Sequence, residues 1–155
     1  LTLIVLLTFV LTFRKINKDH SKSLAILLTI KFENIKNLLE LIDLEKSDID
    51  AKLVNEFNQI ETKWFLLPPS EECKRARDVL SNLRDQIFLV SAKNPTLEKH
   101  SKFNLGKENI QEADKVYRIK LAMYNADVLG YNYWIKFLPT RFIFTIFGCK
   151  EKELI

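Results

Sequence analysis

The sequence predicts an all-α protein, an antiparallel up-and-down four-helix bundle with an N-terminal membrane-anchor helix. Three observations carry that expectation. Apolar residues recur at steps of three and four along four stretches. Only three Gly and four Pro are available to make turns, so the elements must be few and long. No stretch alternates apolar and polar residues with the period of a strand.

The N-terminal stretch, 1–13, is uncharged and apolar and ends abruptly at Arg14-Lys15. At about 1.5 Å per helical residue it reaches about 20 Å, short of the roughly 30 Å hydrocarbon core of a bilayer. The chain opens on Leu1 rather than Met, and a few further apolar residues upstream would complete a spanning helix. A membrane anchor is therefore expected, with a cleaved signal peptide or a helix paired with the domain as the alternatives. A signal peptide carries its positive charge before the apolar run and small residues after it; here the charge follows and no Ala-x-Ala appears. The basic flank Arg14, Lys15, Lys18 and Lys22 tends to stay in the cytoplasm, which makes the expected location a single-pass cell-membrane protein with a cytoplasmic domain.

The helical domain is expected over 14–138. Leu24, Leu27, Leu28, Ile35, Leu38, Leu39 and Ile42 define one face of a helix over about 22–43, continuous with the anchor. Asp48 offers an N-cap for a second helix over 49–67, whose stripe is Ile49, Leu53, Phe57, Ile60, Trp64 and Leu67 before Pro68-Pro69 stops it. Ser70 with Glu71 and Glu72 starts the third, over 71–92, since acidic side chains suit the positive end of a helix. Its face is Ala76, Leu80, Leu83, Ile87 and Val90, and Asn94-Pro95 closes it. From Thr96 to Lys107 the pattern lapses and Gly106 interrupts, so this segment reads as the longest loop, with room for one helical turn. The last helix, over 108–137, carries Ile110, Ala113, Tyr117, Leu121, Tyr124, Val128, Tyr131, Ile135 and Leu138 before Pro139 ends it. A dense apolar tail, 139–155, contains Phe142, Ile143, Phe144, Ile146 and Phe147; it is expected to fold back over one end of the bundle, or else to dock on a membrane or a partner.

The inventory of reactive groups is thin. The net charge of +4 is a mild excess, and beyond Arg14, Lys15, Lys18 and Lys22 there is no basic cluster with aromatic platforms, so nucleic acid is not an expected partner. Cys73 and Cys149 have no partner at a CxxC or metal-ligand spacing. His20 and His100 form no Glu-x-x-His pair of the kind that di-metal bundles use. The three glycines are too far apart for a phosphate-binding loop. No catalytic, cofactor-binding or metal-binding residue is assigned, and neither an enzyme nor a metalloprotein is expected.

Two Tyr-Asn pairs, Tyr124-Asn125 and Tyr131-Asn132, stand one heptad apart, followed by Ile135, Pro139 and Phe147-Gly148 with Lys150-Glu151 behind. With Ile35, Asn37, Leu38 and Glu40 earlier, and Asn94-Pro95-x-Leu97 between, this resembles the LemA family of bacterial membrane-anchored helical proteins. Lys36, Leu138, Arg141, Phe144 and Cys149 depart from the family pattern and mark a divergent member. The resemblance implies an anchor, a four-helix bundle and no enzymatic activity or cofactor. The motif residues Tyr124, Asn125, Tyr131, Asn132, Pro139, Phe147 and Gly148 become candidates for interaction. On a structural reading the rings fill the core while the amides bond across to a neighbouring helix; on a functional reading they form a polar strip that recognises a partner. The expected roles are a membrane-tethered scaffold or adaptor for an envelope protein, or a self-associating envelope element, since heptad-spaced helices readily pair between chains.

Overall fold

The computed structural model describes residues 2–42, 48–66, 71–137, 141, 144, 145 and 148–155. The described residues are helical with no strand: α1 (Thr2–Leu41), α2 (Ala51–Asn58), a 3-10 turn (Thr62–Leu66), α3 (Glu71–Lys93), α4 (Pro95–Glu98) and α5 (Ser101–Lys136). They belong to two compact units, one of residues 1–24 with 118–155 and one of residues 25–117; α1 and α5 each contribute to both.

Among the described residues the expected apolar faces are mostly buried and otherwise half-buried. In the 25–117 unit Leu28, Ile35 and Leu38 of α1 join Phe57 of α2, Leu80, Leu83 and Ile87 of α3, and Phe103 and Ile110 of α5 in one core. Phe32 stacks on Phe57 with ring centroids 4.7 Å apart. α3 packs against α2, the 3-10 turn and α4. Because each stripe is apolar on one side only, burial of these rings and branched chains is what holds the elements together.

Several boundaries differ from the expected ones, each for a local reason. The cap of α2 is Asp50, whose carboxylate accepts from Lys52 N–H at 2.9 Å, rather than Asp48; Asp48 instead lies 3.3 Å from Lys93. The second helix does not run through to Leu67. It closes after Asn58, and Ile60 N–H bonds to Phe57 at 3.0 Å in a turn that still buries Ile60. Asn58 and Thr62 are poor helix formers, which makes this a weak point in an otherwise apolar stripe. Pro68, Pro69 and Ser70, on which the expected end of this helix and start of the next rest, lie outside the described residues.

The segment expected to be the longest loop is mostly helix. Asn94 caps α4 by accepting from Thr96 N–H at 3.1 Å, with Pro95 in the first turn, where its missing N–H costs nothing. α5 starts at Ser101 and takes Gly106 into its body. A β-carbon at Gly106 would fall 2.6 Å from a methyl carbon of the buried Leu38. The glycine therefore permits a close approach of α5 to α1, which offsets its poor helix propensity.

The N-terminal stretch corrects the expected anchor. Among the described residues no helix is long and apolar enough to cross a membrane. α1 is long, but Arg14, Lys15, Lys18, Asp19 and Lys22 crowd behind Phe13, so any window of spanning length takes in several charges. The transmembrane helix, the single-pass membrane location and the cytoplasmic placement that depended on it are withdrawn together. Val10 and Phe13 are buried within their own unit, where Phe13 stacks on Tyr131 with centroids 4.2 Å apart and planes 7° from parallel.

Candidate functional site

Within the unit of residues 1–24 and 118–155, the heptad in α5 places Tyr124, Val128 and Tyr131 on a buried face, with Asn125 and Asn132 half-buried at its edge. Asn132 Nδ2 donates to the Lys152 carbonyl at 2.8 Å, and its Oδ1 accepts from Lys152 N–H at 2.9 Å. Asn125 treats Ile155 identically, donating to its carbonyl oxygen at 2.9 Å and accepting from its N–H at 3.0 Å. Each primary amide thus engages both main-chain groups of one residue, as a neighbouring strand would. The partner is the chain's own 149–155 segment, not the adjacent helix that the structural reading of the sequence supplied.

The spacing explains why two asparagines seven apart can do this. Seven helical residues rise about 10.5 Å, and three residues of extended, polyproline-II-like chain rise about 9.3 Å. The segment follows that period: Cys149, Lys152 and Ile155 are half-buried while Lys150, Glu151, Glu153 and Leu154 are exposed. It runs antiparallel to α5, and Lys136 with Glu151, 3.1 Å apart, extends the contact at the surface.

Gly148 launches the segment. Its φ of +63° is in the left-handed region, Cys149 N–H bonds to the Phe144 carbonyl at 2.9 Å, and Gly148 N–H bonds to Thr145 at 3.1 Å. These are the paired bonds of a Schellman motif, in which glycine at the left-handed position lets the chain leave a helical turn. Replacing Gly148 by Ala should cost about 1 kcal/mol in that turn. The expected readout is faster tryptic cleavage after Lys150 and Lys152 with an unchanged helical dichroism spectrum.

Side chains lining the track are aromatic and cationic. Lys152 Nζ lies 5.5 Å from the centroid of Phe13 and 5.8 Å from that of Tyr131, within cation–π range. Phe144 is buried and packs edge-on against Tyr131, centroids 6.5 Å apart. Burial, then the hydrogen bond and charge of Cys149, push the Tyr131 phenol up to about 12, with Arg14 pulling weakly the other way. Burial and the nearby Arg14 lower Lys152, and burial alone raises Tyr124. The tyrosines are therefore neutral at physiological pH and act as rings and hydrogen-bonding groups. Further along, His20 Nδ1 lies 3.2 Å from Asp127, off the line of a hydrogen bond, and is buried.

The sequence-derived candidates thus divide. Tyr124, Asn125, Tyr131, Asn132 and Gly148 come together in one place; Pro139 and Phe147 lie outside the described residues, as do Leu138, Phe142, Ile143 and Ile146. Sequence reasoning missed Phe13 and Lys152 as parts of this arrangement. The available signal was limited to the two asparagines at heptad spacing and a tail that follows Gly148.

Removing both amides, with Asn125→Ala and Asn132→Ala, deletes four hydrogen bonds that each contribute about 1 kcal/mol net. Since they fasten a non-helical segment rather than two helices, the global unfolding midpoint should move little. Tryptic cleavage after Lys150 and Lys152 should accelerate about tenfold or more, as local opening becomes cheap.

A second polar cluster, in the 25–117 unit, is structural in character. Asp114 of α5 accepts from Lys31 of α1 at 2.5 Å and from Arg84 of α3, which also holds Asp85 at 2.7 Å. Lys31 is almost fully buried and lies 5.8 Å from the Tyr117 ring centroid. Burial alone would raise the Asp114 carboxyl, but hydrogen bonds from Lys31 and Arg84 outweigh it and hold it below its ordinary value.

Among the described residues no group of three or more His, Cys, Asp or Glu side chains is placed to hold a metal ion. A shallow groove of about 390 Å³ beside Asn34, Leu38, Gly106 and Asn109 contains no nucleophile paired with a base. Compared with family models, with curated proteins and with solved structures, the chain matches none.

Proposed function

We propose that this chain is a non-catalytic scaffold or adaptor of the LemA type, an antiparallel four-helix bundle that works by binding another protein chain. The observation that carries the reading is the asparagine pair. An arrangement that takes hold of an extended main chain through both amides is suited to recognising polypeptide and offers no means of transforming a small molecule. The Tyr-Asn repeat and Gly148, which carry the LemA resemblance, are the same residues that build this hold. Self-association is the second reading, favoured by the large apolar side chains exposed in the same unit.

Crosslinking in cells followed by mass spectrometry tests the proposal. A reproducible protein crosslinked to the 118–155 region is expected, and it should be lost with Asn125→Ala and Asn132→Ala while the melting temperature is retained. A chain that yields no crosslinked protein, its own copies included, would not be an adaptor.

A further inference from the structure

The hold on 149–155 does not depend on which molecule supplies the segment. Its four hydrogen bonds run to main-chain groups of Lys152 and Ile155. The side chain that sits over the Phe13 and Tyr131 rings is Lys152, which every copy of this chain carries. The segment leaves its helical turn at Gly148, the only residue with positive φ among those described, so one pivot separates the segment from the rest of the unit.

The unit that carries the track also exposes many large apolar side chains. Most of the large apolar side chains exposed among the described residues belong to this unit, led by Ile4, Val5 and Leu11 of α1 and Ile119, Leu129 and Tyr133 of α5. Phe9, Trp134 and Phe137 form an exposed aromatic group with centroids about 6.1 Å apart. An exposed aromatic group of this kind marks a contact with something else.

We propose that two copies of the chain exchange their 149–155 segments, each seated on the Asn125–Asn132 track of the other, with the apolar surface of this unit forming the rest of a two-fold interface. The claim rests on the reading of the site as a holder of polypeptide and names its partner. Exchange re-forms the four asparagine bonds on the other copy, so those bonds cancel between the two states. The balance is then set by the apolar area covered in the dimer against the entropy of bringing two chains together. A second copy is the occupant whose segment matches the track residue for residue.

Sedimentation equilibrium of the full chain over about a hundredfold range of concentration tests this, with two variants that complement each other. One has a disabled track, Asn125→Ala with Asn132→Ala. The other has a disabled segment, Lys152→Pro with Ile155→Pro, which deletes both N–H donors outside any helix. The parent should dimerise. Each variant alone loses the hold in monomer and dimer alike and should dimerise about as the parent does, whereas an equal mixture should associate at least about tenfold more tightly than either variant, because only there does an intact segment meet an intact track. Circular dichroism verifies that both variants are folded. A strictly monomeric parent overturns the proposal, whether another protein or lipid then proves to cover the apolar surface. So does a mixture that associates no more tightly than its components. Each of these leaves the adaptor reading to be decided by crosslinking in cells.

Discussion

Replacing Asp114 by Ala is expected to lower the unfolding free energy by about 3–5 kcal/mol, the range for removing one partner of a buried ion pair. The carboxylate is shared by Lys31 and Arg84, so among the described residues its loss leaves the buried Lys31 ammonium with no paired anion and Arg84 with Asp85 alone. Urea unfolding at neutral pH measures the change. Acid should act in the same direction. The folded carboxyl titrates below its ordinary value, so its contribution is complete above the unfolded value of about 3.9 and is lost as pH falls through the lower folded value. The parent should therefore lose stability more steeply below about pH 4 than the Asp114→Ala variant. An Asp114→Ala chain as stable as the parent would show that the cluster is an exposed surface network in solution.

A loss of similar size is expected for Phe57→Ala. The ring is 1% exposed and stacks on Phe32, and truncating a buried phenylalanine costs about 3–5 kcal/mol through lost burial and the cavity left behind. α2 is only eight residues long, too short to persist without its packing. The whole element should therefore loosen, and amide exchange over Ala51–Asn58 should rise together with the drop in midpoint. Were the midpoint to fall with α2 still protected, the helix would owe its order to something other than this ring.

The helix faces were legible in the sequence because burial acts on residue type at a fixed period. Leu28, Ile35, Leu38, Leu80, Leu83, Ile87, Ile110 and Val128 were all named from spacing alone, and all are buried. What spacing could not supply was anything set by the main chain or by a tertiary neighbour. Gly106 reads as a loop residue until Leu38 is seen to fill the space a β-carbon would take. The break after Asn58 lies beneath an unbroken apolar stripe, since a 3-10 turn preserves the burial of Ile60 and Phe65.

The N-terminal stretch misled for a related reason. A run of apolar residues suggests an anchor by its composition, but the charges from Arg14 to Lys22 leave no window of α1 apolar enough to span, and Phe13 packs against Tyr131. The asparagines were recognised as notable, but their partners could not be read, because an amide bonded to main chain leaves no mark on the identity of the residue it holds. Lys152 and Ile155 carry no signal of their own beyond their separation by three.

Amide hydrogen exchange of the full-length chain, resolved residue by residue by NMR, tests the asparagine hold most directly. The N–H groups of Lys152 and Ile155 should exchange about tenfold or more slowly than those of Lys150, Glu153 and Leu154, a protection pattern with a period of three in a segment that belongs to no helix. Uniform exchange from Lys150 to Ile155 at the rate of an unstructured peptide would mean that neither asparagine holds the segment, and the site described here would not exist.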